Sequence, residues 1–256
     1  CDLRRGPQVP GNRNLHFPFL PKSCAMLSLA MVDGSAHHKR MKRLLLASLI
    51  STLPMAAQAC DTALILTIDV SNSIDTAEYR LQTDGLADAL RDPEIIETMV
   101  ASENYLTVVQ WSGVDKQTVS IPWTQMRTAL DVEGFAQKSR LMERAFVLSD
   151  TAPAEAIYFS LGLFDQVPEC NRYVIDVSGD GTPNGGSDTR AARNAAERAG
   201  VTINGIAIES MGLAITNFFR GAVITRDGFV MTARTHREYP QTIRAKILRE
   251  ISRIFG

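Results

Sequence analysis

Histidine and cysteine are scarce in this chain, four of each in 256 residues. Beyond residue 59 only His236, Cys60 and Cys170 remain. There is no cysteine-rich zinc spacing, no H-E-x-x-H helix and no G-x-S-x-G elbow, so the familiar zinc-protease and serine-hydrolase motifs are absent. Charge of one sign is not in excess either. With 27 basic and 28 acidic residues the formal balance is −1, which argues against a nucleic-acid-coating protein. An apolar content of 45% argues against disorder and is ample for a core. No internal repeat or low-complexity stretch follows residue 60, and no apolar run is long enough for a comfortable membrane span.

The overall balance conceals two kinds of sequence. Residues 1–59 hold eight of the 27 basic residues but only two of the 28 acids, leaving 19 basic against 26 acidic residues in 60–256. From Met41 the chain reads MKRLLLASLISTLPMAAQAC: a basic start, a short apolar run interrupted by Pro54, and Ala57-Gln58-Ala59 before Cys60. These are the parts of a secretory signal peptide over 41–59, cleaved after Ala59, and they read less well as a buried helix. A lipidated Cys60 fits less well, because Ala57 stands where a Leu-like residue is wanted. Residues 1–40 have no helical or strand period and are expected to be a disordered or untranslated leader, with Met41 as the initiator. The expected domain is 60–256, exported to the periplasm or the medium, with no membrane span after cleavage. Two cysteines in an exported chain suggest one disulfide, Cys60–Cys170, the alternative being two unrelated buried thiols.

Within that domain, strands alternate with helices. Thr62–Val70, Tyr105–Trp111, Thr118–Trp123, Arg172–Ser178, Val201–Ile208 and Phe229–Thr232 read as strands. Asp75–Leu90, Asp131–Ala145, Pro153–Phe164, Asp188–Ala199 and Tyr239–Ile254 read as helices, with Asp92-Pro93 closing the first. The alternation predicts an α/β fold with a doubly wound, mostly parallel sheet and helices on both faces. Tyr105–Trp111 and Thr118–Trp123 are too close for a crossover helix, which makes the second an antiparallel edge strand.

In such a sheet, ligands sit beyond the carboxyl ends of the strands. Asp69-Val70-Ser71-Asn72-Ser73 follows the first strand, and Ser178-Gly179-Asp180-Gly181-Thr182-Pro183-Asn184 follows the one that starts near Arg172. Hard oxygens carrying few full charges suit a hydrated divalent cation, Mg²⁺ or else Mn²⁺ or Ca²⁺. The bland alternative is that Ser71 and Ser73 cap the next helix and Asp69 is a hydrogen-bonded strand end.

The segments CDTALILTIDVSNSID (60–75), VVQWSG (108–113), CNRYVIDVSGDGTPNGG (170–186) and GVTINGIAI (200–208), with GFV (228–230) and LREI (248–251), resemble von Willebrand factor type A domains. They are most similar to a group of secreted bacterial proteins of unknown function with that fold. The resemblance implies a three-layer sandwich with a metal-ion-dependent adhesion site at the sheet top. Asp69, Ser71 and Ser73 match its first loop and Asp180 its later aspartate. Thr151 matches its threonine, although Pro153-Ala154 replaces the usual Ile-Gly, which leaves a helix-cap role open for Thr151. If the two aspartates top neighbouring parallel strands, Cys60 and Cys170 fall at the opposite edge at nearly equal depth, within reach of a bridge.

The implied function is binding rather than catalysis, with a partner carboxylate, from a protein or another ligand, completing the metal's shell. A metal-assisted, phosphatase-like hydrolase is one alternative, but Ser71 stands where that chemistry wants a second acid. A structural domain with a decayed metal site is another. An EF-hand loop at Asp180–Gly185 is excluded by Ala191 at its twelfth position. Trp111 and Trp123 are expected in packing, not on a carbohydrate platform. His236 is expected on the surface, and Arg244, Lys246, Arg249 and Arg253 on the solvated face of the last helix.

Overall fold

The computed structural model describes residues 60–210 and 212–252. The leader expected over 1–40, the signal peptide expected over 41–59, and the end of the last helix at Arg253 and Ile254 lie outside the described residues.

Ten consecutive buried residues form β1, Cys60–Asp69. An apolar run without alternation is what a central strand covered on both faces requires. The chain then runs through α1 (Thr76–Leu90), α2 (Pro93–Ala101), β2 (Tyr105–Trp111), β3 (Gln117–Gln125) and α3 (Ala129–Leu141). It continues through α4 (Pro153–Leu161), β4 (Cys170–Gly179), α5 (Thr189–Arg198), β5 (Val201–Ile208), α6 (Ala214–Phe218), β6 (Val230–Ala233) and α7 (Tyr239–Ile251). The six strands form one sheet in the order β3-β2-β1-β4-β5-β6. All neighbours are parallel except β3, which runs antiparallel to β2 at the edge, as expected.

Alternate side chains of the central strands feed two cores. Leu64, Leu66 and Ile68 meet Leu86 and Leu90 of α1, Phe135 of α3 and Ile243 and Ile247 of α7. Ile65, Ile175 and Val177 meet Ile157 of α4, Ala192 and Ala196 of α5, and Phe219. Each fully buried Leu, Ile or Phe contributes roughly 1.5–3 kcal/mol relative to exposure, so the two layers hold the sheet from both sides. Trp111 is 1% exposed, and Trp123 packs on Phe164 while its indole N–H donates to the Leu163 carbonyl, so both tryptophans serve packing as expected.

The pairing of β1 with β4 sets the geometry of both ends of the sheet. Its parallel register runs from Cys60 opposite Cys170 to Ile68 opposite Ser178. At the amino edge the two cysteines form the expected disulfide, with Cα atoms 4.6 Å apart. At the carboxyl edge the same register places the loops after Asp69 and Gly179 side by side. The strand order reverses about β1, which opens the crevice where ligands bind in doubly wound sheets.

Two expectations need correction. Asp92-Pro93 does not merely end a helix. The Asp92 carboxylate accepts from the backbone N–H groups of Glu94 and Ile95, and Pro93 opens α2. A cap followed by proline is a start signal as well as a stop. The solvated basic face of α7 is also wrong at its centre. Lys246 is fully buried, its Nζ 2.7 Å from Asp176 Oδ1 and 2.5 Å from Glu250 Oε1. Arg244 pairs with Asp92, and Arg249 lies over the Phe229 ring at 3.7 Å.

Candidate metal centre

Asp69 is the last residue of β1 and is fully buried. Its Oδ1 accepts the Ser71 backbone N–H at 2.7 Å, which curls the chain into the loop. Ser71 is buried, and its Oγ lies 3.1 Å from Ser73 Oγ at the exposed rim. The Ser73 hydroxyl donates to Asp180 Oδ1 at 2.6 Å. A continuous chain of oxygens therefore joins the first loop to the loop after β4. Thr151, 6% exposed, lies on its flank, where a Cβ added to Gly181 would stand 3.7 Å from Thr151 Oγ1. The structure thus brings Asp69, Ser71, Ser73, Thr151 and Asp180 to one edge of the sheet.

The capping alternatives do not hold. The N-cap of α1 is Asp75, in a reciprocal capping box with Glu78, so Ser71 and Ser73 cap nothing. The N-cap of α4 is Ala152, which makes no side-chain cap, so the Thr151 hydroxyl is not used there either. The Thr151 backbone is held instead: its N–H donates to Asn184 Oδ1 at 2.8 Å, and Asn184 N–H returns a bond to the Thr151 carbonyl at 3.1 Å. Asn184 belongs to the D-G-T-P-N string noted in the sequence, but its clamp on a loop 33 residues earlier has no local signal.

Other bonds fix the loops from below. Asn72 N–H donates to the Ser149 carbonyl at 3.0 Å, and the Ser112 hydroxyl to the Asp150 carbonyl at 2.9 Å. Arg144 Nη2 donates to the carbonyls of Val70 at 2.9 Å and Ser71 at 2.8 Å, bracing the first loop from behind. Neither Arg144 nor His236 was anticipated as part of this site. His236 is a correction. Its side chain is 14% exposed, with Nδ1 3.0 Å from Glu78 Oε1 and Nε2 3.8 Å from Asp180 Oδ2.

Burial dominates the electrostatics. It pushes the Asp69 carboxyl up from 3.8 to about 7, against the hydrogen bonds from Ser71 and the more distant Arg144, and with the help of the neighbouring Asp180. Asp180 is also raised by burial, while Ser73 and His236 pull it back. Both carboxyls would ionise more readily beside a cation.

The residues fit a hard divalent ion. Asp69 Oδ2 is buried without a hydrogen-bond partner. The room beside it exists because residue 179 is glycine: an added Cβ would come within 3.2 Å of that oxygen. An unpartnered buried carboxylate oxygen is costly unless something positive meets it. Two carboxylates with three hydroxyls are oxygen donors that suit Mg²⁺ or Mn²⁺ better than zinc or copper. Among the described residues no three His, Cys, Asp or Glu side chains cluster as metal ligands.

The model of a family described as "Protein of unknown function (DUF1194)" matches residues 59–255. The chain belongs to this family. Its fold is shared with solved von Willebrand factor type A structures. Proximal thread matrix protein 1 from the mussel byssus superposes with a TM-score of 0.57 at 18% identity, over 74% of this chain and 47% of that one. The von Willebrand factor type A protein of Catenulispora acidiphila gives 0.54 at 14% identity, over 75% and 43%. The pilus adhesin SpaC of Lactobacillus rhamnosus GG gives 0.56 at 11% identity, over 75% and 30%. The chain thus spans less than half the length of each. A further structure of the mussel protein, with a TM-score of 0.52 at 17% identity over 74% of this chain and 46% of that one, has zinc in its adhesion-site motif. No curated protein matches the chain.

Proposed function

We propose that the domain is an exported binding module in which Asp69, Ser71, Ser73, Thr151 and Asp180 hold one Mg²⁺ or Mn²⁺ and engage a carboxylate of a partner protein. The observation that carries this reading is the buried, partnerless Oδ2 of Asp69 beneath a hydroxyl–carboxylate chain whose serines cap no helix. A bound divalent cation would supply a Lewis-acidic position that an acidic group from outside can complete.

The chain's own residues set the terms of that encounter. Asp69 and Ser71 form a buried floor, shaped by the Ser71 N–H bond and braced by Arg144. Ser73 and Asp180 form the rim, next to a cleft of about 700 Å³ whose walls include Ala77 and Leu81 of α1 and Arg237. A mouth of this kind admits a side chain presented by another protein. The mussel matrix protein and the pilus adhesin, which share the fold, are consistent with a role in protein association. Export is supported by the Cys60–Cys170 disulfide, which persists in oxidising compartments, and by the signal-like segment 41–59. Binding is preferred over hydrolysis because the nearby imidazole faces Asp180 through its buried Nε2, so the ring nitrogen nearest the site is turned to a proposed ligand and not to a general-base position in the cleft.

The test is affinity capture from the native cell envelope on immobilised 60–256, with Mg²⁺, with chelator, and with an Asp180→Ala domain. The reading expects a protein retained only by the wild-type domain with Mg²⁺ and released by an excess of a free acidic peptide. Retention that is indifferent to metal and to Asp180 would contradict it.

A further inference from the structure

We propose that His236 is a positioning residue of the metal centre, holding the outer oxygen of Asp180 through Nε2 while Glu78 fixes the imidazole through Nδ1. The inference rests on the reading of Asp69, Ser71, Ser73, Thr151 and Asp180 as metal ligands. It adds two residues from parts of the chain that no ligand motif includes.

The arrangement is a relay of four groups. Glu78 lies in the first turn of α1, the helix that follows the first metal loop. One of its oxygens, Oε2, accepts the Asp75 backbone N–H at 2.8 Å, so the carboxylate is tied to the helix start. The other, Oε1, meets His236 Nδ1 at 3.0 Å. That contact orients the ring and leaves Nε2 directed away from Glu78. Nε2 is buried, has no hydrogen-bond partner, and faces Asp180 Oδ2 at 3.8 Å. This is longer than a hydrogen bond, becomes an ion-pair contact when the imidazole carries a proton on both nitrogens, and concerns the oxygen of Asp180 that Ser73 does not occupy.

The two oxygens of Asp180 are thereby divided. Oδ1 is turned to the Ser73 hydroxyl and the metal loop, and Oδ2 to the imidazole. A carboxylate free to rotate would present either oxygen, or both, and lose entropy on each binding event. A ligating carboxylate held by an outer partner is already in place, and loss of such partners typically weakens metal affinity 10–100-fold. His236 opens the turn His236–Glu238 between β6 and α7, so the relay also joins the C-terminal part of the sheet to the loop after β4. A solvated surface histidine would need none of these contacts.

Three replacements separate the atoms of the ring. In His236→Gln the side-chain amide nitrogen falls where Nε2 was and keeps a donor toward Asp180. In His236→Asn the amide reaches only the Nδ1 position, and His236→Ala supplies neither. Mn²⁺ affinity is measured for each by the loss of the free-ion electron paramagnetic resonance signal. Thermal unfolding in chelator is measured in parallel. The proposal expects Ala and Asn to bind about 10–100-fold more weakly, Gln to stay near wild type, and the metal-free unfolding temperatures to change little. Unchanged affinity in His236→Ala, or equal weakening in Gln and Asn, would overturn it. So would losses of affinity that simply follow losses of metal-free stability. Failure of the wild-type protein to take up Mn²⁺ is a different result: it removes the metal reading, and this inference with it.

Discussion

Asp69→Asn should stabilise the metal-free protein while abolishing its response to metal. The Asp69 carboxyl has no exposed surface, and burial raises it from 3.8 to about 7. Between those values the folded chain keeps a proton that the unfolded chain has already released. Metal-free stability therefore falls as pH rises from about 4 to about 7 and levels off above. The full cost at pH 8 is about 4 kcal/mol. The asparagine carries no charge, and its carbonyl still accepts the Ser71 N–H. Its amide nitrogen would replace the partnerless Oδ2 and leave an unmet donor, which costs about 1–3 kcal/mol. The difference predicts a gain of about 1–3 kcal/mol at pH 8 in chelator and a loss of about 1–3 kcal/mol near pH 4, where the charge cost is absent. Urea unfolding of both proteins at the two pH values measures it. Saturating Mg²⁺ should then reverse the order, since wild type alone gains about 4.1 kcal/mol when the ion is at about 1,000 times its dissociation constant. If Asp69→Asn is destabilised equally at both pH values, Asp69 is only a hydrogen-bonded strand end and the argument fails.

Other consequences follow from the same geometry. Thr151→Ala should weaken Mn²⁺ binding and leave metal-free stability unchanged, because Ala152 caps α4; a matching loss of stability in chelator would instead give Thr151 a structural role. Replacing both Cys60 and Cys170 by Ser opens a loop with a sequence separation of 110 and should cost about 4–5 kcal/mol in reversible urea unfolding. A loss below about 1 kcal/mol would mean that the unfolded chain gains little freedom from the opening. Lys246→Met removes the cation between Asp176 and Glu250 and should destabilise by about 3–5 kcal/mol at pH 8. The loss should shrink near pH 5, because burial, opposed by Lys246 and assisted by Glu250, has raised Asp176 and lets it take a proton there; a pH-independent loss would refute that account.

What could be read from the sequence divides along physical lines. The central strands were legible because burial on both faces leaves a nearly continuous apolar run such as Ala63–Ile68, interrupted only by Thr67. The disulfide was legible because two cysteines at equal distances from two strand ends must share a level once those strands pair. The two oxygen-rich loops were legible as local strings, D-V-S-N-S and the segment around Asp180, and the structure brings them together, with Ser73 Oγ 2.6 Å from Asp180 Oδ1. Lys246 was misplaced because its partner Asp176 lies on β4, and helix spacing alone cannot distinguish a buried lysine from a solvated one. His236 was misread for the same reason: its two carboxylates come from α1 and from the loop after β4. Arg144 gives no signal at all, since it acts on backbone carbonyls.

The central claim is that Asp69, Ser71, Ser73, Thr151 and Asp180 form one divalent-cation site at the carboxyl edge of the sheet. Calorimetric titration of wild type and Asp180→Ala with Mn²⁺ tests it most directly. A single saturable site in wild type and no binding in Asp180→Ala is the predicted result. Equal heats in the two proteins, or none in either at millimolar metal, would contradict it.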